Sequence, residues 1–272
     1  MTFSIVGRDG GQWGVAVASK FLAVGAFVPA ARAGAGALAT QAMANLSYRG
    51  TGLALLAEGR EAAAVVDALV SHDDDRGHRQ LGVVDREGNA ATYTGAECHP
   101  WCGGRTGEDY AIQGNILVGP EVVEEAERAF LRSTGPLAHR LLAALEAGDA
   151  AGGDKRGRQA AALLVVEEGA GYGGFTDVIV DLRCDDSAAP IPEVRRLLEL
   201  HEVYFGRPDP KTLLSMDDVR AEVSGHLARL GYDVSDFDKA YDAWIGTENY
   251  EERHVPGKID TVVLERMRSQ ER

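Results

Sequence analysis

Residues 1–20 read MTFSIVGRDGGQWGVAVASK and carry the pattern of a β-hairpin. Polar and apolar residues alternate over 2–6, which is the period of a strand with one buried face. Two glycines follow at 10 and 11, and glycine accepts the positive φ that tight hairpin loops need. Residues 13–18 then form a second apolar run. We therefore predict a hairpin that places Thr2 opposite Ala18 or Ser19, with Lys20 just beyond.

The position of Thr2 has a chemical meaning if Met1 is removed, because Thr2 then carries both a hydroxyl and a free α-amine. An α-amine has an unperturbed pKa of about 7.7–8.0 and can take the hydroxyl proton, which makes Thr2 a nucleophile with its own base. A nearby Lys20 cation would lower the pKa of that amine. The alternative is that Met1 stays, that Thr2 only starts a strand, and that Lys20 is a solvated strand end.

The composition is that of an ordinary globular protein. The chain has 272 residues, 45% of them hydrophobic, which suffices for one large domain with a small one attached. Its net charge of −14 argues against nucleic acid as a partner, since phosphate binding needs a positive surface. The sequence predicts neither a secretory signal nor a membrane span. With 3 cysteines and no signal, we expect reduced thiols and a cytoplasmic location.

Strand and helix patterns alternate in clusters along the first two hundred or so residues. The patterns predict further strands at 36–42, 80–85, 90–94, 110–118, 160–166 and 175–181. They predict helices at 48–58, 61–70, 120–132, 136–147 and 192–205. Hairpins instead of single βαβ units favour antiparallel sheets covered by helices. We therefore predict an α+β fold of four layers, with helices outside two packed sheets.

The character of the chain changes after residues 206–210, GRPDP, which are typical of a linker. Beyond them the apolar spacing predicts three helices, at 216–230, 236–245 and 261–267. We therefore predict two domains, residues 1–206 and a small all-α domain at 211–272. The aromatic residues of the second domain either pack in its core or line a groove for a glycan; they are Phe237, Tyr241, Trp244 and Tyr250.

Several segments resemble a known bacterial family: MTFSIV at the start, RQLGVVD at 79–85, QGNIL at 113–117 and GDKRGRQ at 153–159. Over residues 1–206 the chain resembles a family with an N-terminal-nucleophile (Ntn) hydrolase-like fold, most of which is known only as a domain of unknown function. The resemblance implies an αββα sandwich and amide-bond hydrolysis by an N-terminal Thr, Ser or Cys. Thr2 matches that nucleophile position. In the C-terminal part, LARLGY at 227–232 and AWIGTEN at 243–249 resemble a small peptidoglycan-binding-like domain that some members carry.

An amide hydrolase also needs hydrogen-bond donors for the tetrahedral oxyanion. The candidates are backbone N–H groups beside the small-residue strand and the side-chain amide of Asn115, which otherwise makes a structural hydrogen bond. Asp154 and Arg156 lie in a glycine-rich loop and can clamp a polar substrate, since Arg binds carboxylates through its bidentate fork. The alternative is a solvated charged loop. Arg79 and Gln80, at the start of a strand, are further candidates for substrate binding.

No metal and no other cofactor is predicted. Cys98 and Cys102 flank His99, but a structural zinc site wants four ligands, and Cys184 stands alone in the sequence. The acidic run at 73–75 does not match the twelve-residue calcium loop, so an acidic surface turn is favoured.

Two hypotheses for the function follow. In the first, the protein is an amidohydrolase that acts on a small amide, peptide or cyclic imide, and Thr2 forms an acyl ester that water then releases. In the second, it is a non-catalytic scaffold that binds a muropeptide-like ligand or a protein partner through its C-terminal domain. A homodimer is expected in either case, because a four-layer sandwich leaves apolar helix faces.

Overall fold

The computed structural model of the chain describes residues 2–270. The chain divides into two compact units, Met1–Leu197 and Leu198–Arg272. The first unit combines helices with antiparallel sheets, which confirms the predicted α+β class. No helix within residues 2–270 is long and apolar enough to cross a membrane.

Two antiparallel sheets form the framework of the first unit. Its strands are β1 (Thr2–Asp9), β2 (Gln12–Ser19), β3 (Pro29–Arg32), β4 (Gly36–Ala42), β5 (Arg79–Asp85), β6 (Ala90–Thr94), β7 (Gly103–Gly107), β8 (Tyr110–Asn115), β9 (Ala160–Glu167) and β10 (Val178–Cys184). The first sheet has the order β10-β9-β2-β1-β8-β7, and the second has the order β3-β4-β5-β6. The first strand of the chain therefore lies in the middle of its sheet, between β2 and β8.

Helices pack on both sheets of this unit. The helices of this unit are α1 (Ser47–Ala57), α2 (Ala62–Ser71), α3 (Glu121–Arg132), α4 (Leu137–Ala150) and the first part of α5 (Pro190–Phe205). α4 lies across β1 and β2, whereas α1 and α2 lie on β4 and β5. The close approach of α4 depends on Gly14, where a Cβ would lie 2.7 Å from Cδ1 of Leu141.

The predicted hairpin is confirmed. β1 and β2 pair with Phe3 opposite Ala18 and turn between Asp9 and Gln12, where Gly10 has a φ of 56°. A glycine is needed there because other residues are strained at positive φ.

Alternation along the strands divides the core. Ala37 and Ala39 of β4 pack with Val6 of β1 in a cluster that both sheets share. Leu38, between them, points to the opposite face and packs with Val65 of α2. The polar side chains Ser4 and Gln41 also meet between the two sheets, with a hydrogen bond of 2.7 Å from the Ser4 hydroxyl. The face of β1 that carries Ser4 is therefore the face towards the second sheet.

The second unit is mainly helical, as predicted, with α6 (Met216–Arg229), α7 (Phe237–Thr247) and α8 (Thr261–Ser269). The expectation of an all-α domain is corrected by a short antiparallel pair, β11 (Leu213–Ser215) and β12 (Lys258–Asp260). Strands of three residues are too short to carry a readable alternation. The aromatic residues pack in the core of the unit: Tyr241, Trp244 and Tyr250 are buried, and Phe237 is partly buried against them.

Some strand limits differ from the prediction. β8 ends at Asn115 and not at Val118, because Ile116 has a φ of 51° and its carbonyl accepts a hydrogen bond from the Lys155 N–H at 3.3 Å. β10 begins at Val178, after a short 3₁₀ turn at Tyr172–Gly174. β7 was not predicted, because its sequence GGRTG has no apolar side chain.

Candidate active site

Thr2 is held on both sides by backbone pairing. It pairs with Asn115 of β8, and the β1–β2 register brings it beside Ser19. The two hydroxyl oxygens, Oγ1 of Thr2 and Oγ of Ser19, lie 3.0 Å apart, so that one donates a hydrogen bond to the other. Thr2 is only 6% exposed. Its side chain is thus fixed at the end of a central strand.

A network of buried side chains from both sheets, which we call the amide cluster, supports the backbone of Thr2. Its members are Ser4, Gln41, Gln80, Gln113 and Asn115, all buried. The Nε2 of Gln41 donates to Oε1 of Gln80 at 2.8 Å and lies 3.2 Å from the carbonyl oxygen of Thr2. The Nδ2 of Asn115 donates to the same Gln80 oxygen at 2.9 Å and lies 3.5 Å from the Thr2 carbonyl. Side-chain amides therefore hold the main chain of Thr2 and leave its hydroxyl to Ser19.

The hydrogen bonds of the amide cluster run in one direction. The Nε2 of Gln113 donates to the Ser4 hydroxyl at 2.6 Å, and that hydroxyl donates to Oε1 of Gln41 at 2.7 Å. Oε1 of Gln113 begins this chain and has no hydrogen-bond partner within residues 2–270. This oxygen lies only 1.9 Å from the place where a Cβ of residue 82 would be, so position 82 must be glycine.

Thr2 opens onto a cleft of about 230 Å³. Apart from Thr2 and Gln41, the residues that line it are apolar: Phe21, Val24, Phe27, Val28, Ala42, Ala44 and Leu46. Phe21 and Phe27 meet edge to face, with ring centroids 5.6 Å apart. Sequence analysis missed this lining because it comes from the segments after β2 and β4, which have no regular period.

Lys20 follows the serine that contacts Thr2, and its side chain is exposed. Its backbone N–H donates to Oδ2 of Asp154 at 2.8 Å. Its ammonium makes no ion pair with any residue from 2 to 270. Lys20 is therefore the chain neighbour of Ser19, which contacts Thr2, and its ammonium lies in solvent.

Asp154 and Arg156 lie in the loop before β9, as predicted. The buried Asp154 carboxylate accepts hydrogen bonds from the backbone N–H groups of Lys20 and Arg156. The Arg156 guanidinium lies 3.3 Å from Oδ2 of Asp154, and its side chain is 44% exposed. Asp154 thus ties its loop to the end of β2, whereas Arg156 keeps part of its guanidinium accessible.

Arg79 lies opposite Ala42, at the edge of the cleft. Its guanidinium donates to Asp73 at 2.9 Å and to the Met43 carbonyl at 2.7 Å. The hydrogen bonds from Arg79, followed by those from Asn45 and Tyr48, hold the pKa of the Asp73 carboxyl well below its usual range. A substrate carboxylate would have to displace Asp73 to reach this guanidinium. Its contacts fix the segment that supplies Ala44 and Leu46 to the cleft.

The remaining candidates stay apart from Thr2 in the described contacts. Cys98 and Cys102 are free thiols, and burial raises the pKa of both. Among residues 2–270 there is no group of three or more His, Cys, Asp or Glu side chains that could hold a metal ion.

The hydroxyl contact of Ser19 and the support that Gln41 gives to Thr2 were not predicted from the sequence. Gln80, predicted as a candidate for substrate binding, instead accepts hydrogen bonds from Gln41 and Asn115. A usable signal existed for the two glutamines, since an uncharged amide inside a strand of small or apolar residues must satisfy its hydrogen bonds somewhere. The same reasoning singled out Asn115.

Two family models match the chain. One, described as "Family of unknown function (DUF1028)", matches residues 2–194. The other, described as "Putative peptidoglycan binding domain", matches residues 204–267.

Among solved structures, the chain is similar to protein SPO2555 from Silicibacter pomeroyi, described with the DUF1028 family model. The two are 32% identical with a TM-score of 0.67, over 74% of this chain and 89% of that one. A match to Anbu (ancestral beta-subunit) from Yersinia bercovieri covers 74% of this chain and 94% of that one, at 13% identity and a TM-score of 0.34. No curated protein matches the chain.

Proposed function

This chain belongs to the DUF1028 family of unknown function, and from that premise we propose that it is an amidohydrolase of the N-terminal-nucleophile type with Thr2 as its nucleophile. The observation that carries the proposal is the setting of Thr2. It begins a central strand, its hydroxyl is held at 3.0 Å by Ser19, and it lines a cleft of about 230 Å³. An N-terminal residue in that setting joins a nucleophile, a base and a substrate site.

We propose the αββα sandwich of the Ntn hydrolases as the architecture. The packing of α4 on one sheet and of α1 and α2 on the other supports this stacking. The core that the two sheets share supports it as well.

In the proposed reaction, removal of Met1 leaves Thr2 with a free α-amine. The amine takes the proton of the Thr2 hydroxyl while Oγ1 attacks the carbonyl carbon of the substrate. The tetrahedral intermediate collapses, the C–N bond breaks, and the amine proton passes to the departing nitrogen. Water, deprotonated by the same α-amine, then attacks the acyl carbon. The ester bond to Oγ1 breaks, the proton passes from the amine to Oγ1, and a carboxylic acid is released.

The amide of Asn115 is engaged by Gln80, so it supports Thr2 in the ground state and can assist the oxyanion only by exchanging partners. Ala44 is one of the residues that line the cleft, and its backbone N–H has no hydrogen-bond partner within residues 2–270. We propose this N–H as an oxyanion donor. The exposed Lys20 ammonium is proposed to lower the pKa of the Thr2 amine. Arg79 and Asp154 are proposed to position the walls of the site, and the accessible part of Arg156 is proposed to contact the polar end of the substrate.

A β-lactone probe tests this function without knowledge of the substrate. Attack by Oγ1 opens the lactone ring at its C–O bond, and the released alkoxide takes up the proton, so the adduct keeps the whole mass of the probe. We expect an intact mass that lacks Met1, one adduct per chain on the peptide that begins with Thr2, and no adduct on Thr2→Ala. Thr2→Ser is the matched control and should retain the adduct.

Two outcomes would contradict the proposal. The first is a protein that keeps Met1 in its mature form. The second is a Thr2→Ala variant that reacts as fast as the parent and hydrolyses the same members of an amide library.

A second function, a non-catalytic scaffold that binds a muropeptide-like ligand, is favoured by the match of residues 204–267 to a peptidoglycan-binding model. Tyr241, Trp244 and Tyr250 are buried in the core of that unit, so they do not form an exposed aromatic groove for such a ligand. Co-sedimentation of the full chain with purified peptidoglycan tests this function. Saturable binding that Thr2→Ala retains would support the scaffold function. If the chain does not bind peptidoglycan but Thr2 reacts with the lactone probe, only the hydrolase function remains.

A further inference from the structure

The cleft at Thr2 differs from the site that Arg79 and Arg156 would build. None of its described lining residues is charged, and Gln41 is its only polar member besides Thr2. The amide of Gln41 is already engaged, since its nitrogen donates to Gln80 and its oxygen accepts from Ser4. A charged group placed in this cleft would lose hydration and would find no side chain of opposite charge among the described lining residues, which is costly.

The two arginines do not supply the missing charge. Arg79 is paired with Asp73, and Arg156 is paired with Asp154. Neither lines the cleft.

The mouth of the cleft is also apolar. Phe21 is 50% exposed, Phe27 is 37% exposed and Leu46 is 46% exposed. Large apolar side chains that are exposed together at a concave surface mark binding sites for apolar groups. The edge-to-face contact between Phe21 and Phe27 forms a preformed aromatic wall, because each ring limits the movement of the other.

The volume agrees with a group of limited size. A cavity of about 150 Å³ lined by apolar side chains is enough for benzene. The cleft, at about 230 Å³, holds a ring or a branched aliphatic chain together with the carbonyl group that Thr2 attacks. When the leaving group departs, the acyl group stays bonded to Thr2 and therefore remains in the cleft that Thr2 lines.

We infer that the substrate of this site has an uncharged, apolar acyl group of aromatic or branched aliphatic type, seated against Phe21 and Phe27. The inference rests on the proposed hydrolase function. In this view the site does not bind a charged acyl group through arginine. It binds an apolar acyl group, which is stabilised when its surface leaves water.

The test uses acyl amides of one fluorogenic amine, 7-amino-4-methylcoumarin, with phenylacetyl, isovaleryl, acetyl, succinyl or 4-aminobutyryl as the acyl group. Since the amine is constant, differences in kcat/KM report the acyl site. We expect phenylacetyl and isovaleryl to exceed acetyl by about 30-fold, within the range that apolar pockets provide, and succinyl and 4-aminobutyryl to fall below acetyl. Phe27→Ser should bring the phenylacetyl value close to that of acetyl. Phe175→Ser, which changes a 96% exposed phenylalanine outside the cleft, is the matched control and should leave the ratio unchanged.

Binding to Thr2→Ala separates this inference from the proposed function. The probes are phenylacetamide and succinamate, and calorimetric titration measures the binding of each to Thr2→Ala. If the parent hydrolyses no amide but Thr2→Ala binds phenylacetamide and not succinamate, the hydrolase proposal fails and the apolar site stands. If the parent prefers succinyl or 4-aminobutyryl, the apolar site is overturned and the hydrolase stands. If no amide is hydrolysed and phenylacetamide does not bind, the inference is overturned as well.

Discussion

The hydroxyl of Thr2 lies 3.0 Å from the hydroxyl of Ser19, across the pairing of the first two strands. Gln41 and Asn115 hold the main chain of Thr2, whereas the contact with Ser19 is made by the Thr2 hydroxyl, the proposed nucleophile. Ser19 is thus a positioning residue for the proposed nucleophile.

Ser19→Ala should lower kcat by roughly 10-fold and leave KM near its parent value, because the Thr2 hydroxyl samples unproductive rotamers once its partner is removed. The measurement is steady-state kinetics on the best amide, with thermal unfolding of both proteins. Ser71→Ala, on the exposed surface of α2, is the matched control. An unchanged kcat in Ser19→Ala would show that the contact does not serve the reaction.

Lys20→Met should move the acidic limb of the kcat/KM profile to higher pH. Removal of a nearby cation makes protonation of the Thr2 amine easier, so its pKa rises and the neutral amine appears only at higher pH. Lys211→Met, in the second unit, serves as the control and should give the parental profile. If the pH profile of Lys20→Met superimposes on that of the parent, the Lys20 ammonium does not affect the pKa of the Thr2 amine.

Gly82→Ala should destabilise the protein by about 3 kcal/mol, because its Cβ would overlap Oε1 of Gln113 in a packed core. Gly11→Ala should change the free energy of unfolding by less than about 0.5 kcal/mol, since a Cβ there meets nothing within 4 Å. Urea unfolding compares the two variants. Combining Gly82→Ala with Gln113→Ala should restore part of the loss, and equal stability of the two single variants would contradict the geometry.

Because of the Asp73–Arg79 pair, the free energy of unfolding should decrease at acidic pH. The pKa of Asp73 is lowered chiefly by the hydrogen bond from Arg79, so the folded state favours the carboxylate. The stability it contributes is complete above the unfolded pKa of about 3.9 and is lost as the pH falls from there towards the folded pKa. Asp73→Asn should therefore be less stable than the parent at pH 6, and the difference should narrow below about pH 4.

Urea unfolding between pH 7 and pH 3 measures this difference. Asp74→Asn is the control, because Asp74 is exposed and makes no ion pair within residues 2–270. A difference between Asp73→Asn and the parent that stays constant over this range would exclude the pair as the cause.

Asp154→Ala and Arg156→Ala should have unequal effects. The buried Asp154 carboxylate accepts two backbone N–H groups, so its loss should cost about 2 kcal/mol and lower activity as the end of β2 loosens. Arg156 is 44% exposed, so its removal should cost less than about 1 kcal/mol. If Arg156 contacts the polar end of the substrate, Arg156→Ala raises KM at unchanged stability. Equal losses of stability in the two variants would contradict the structural role given to Asp154.

The hairpin and most helices were predictable because their signals are local. Alternation and two glycines determine residues 2–19, and the register that brings Thr2 to Ser19 follows from the length of the turn. The family and its C-terminal companion were likewise evident from short segments of sequence and are confirmed.

The details of the site were harder to predict because they depend on contacts between distant segments. Arg79 and Asp73 are six positions apart, yet their pairing depends on how the loop after α2 closes. The aromatic wall of the cleft depends on the contact between Phe21 and Phe27, and the segment that carries both has no regular pattern of apolar residues. The catalytic roles of Thr2, Lys20 and Asn115, the homodimer and the cytoplasmic location stay predictions.

The partners of β1 are made at very different times during synthesis. β2 leaves the ribosome directly after it, whereas β8, its other neighbour, ends at Asn115. Until that segment emerges, the early hairpin exposes a bare row of backbone N–H and C=O groups, the kind of edge to which other growing chains attach. The same delay keeps the first residues accessible on the nascent chain. Removal of Met1, which the proposed chemistry requires, therefore has its opportunity before the segment that ends at Asn115 pairs with Thr2.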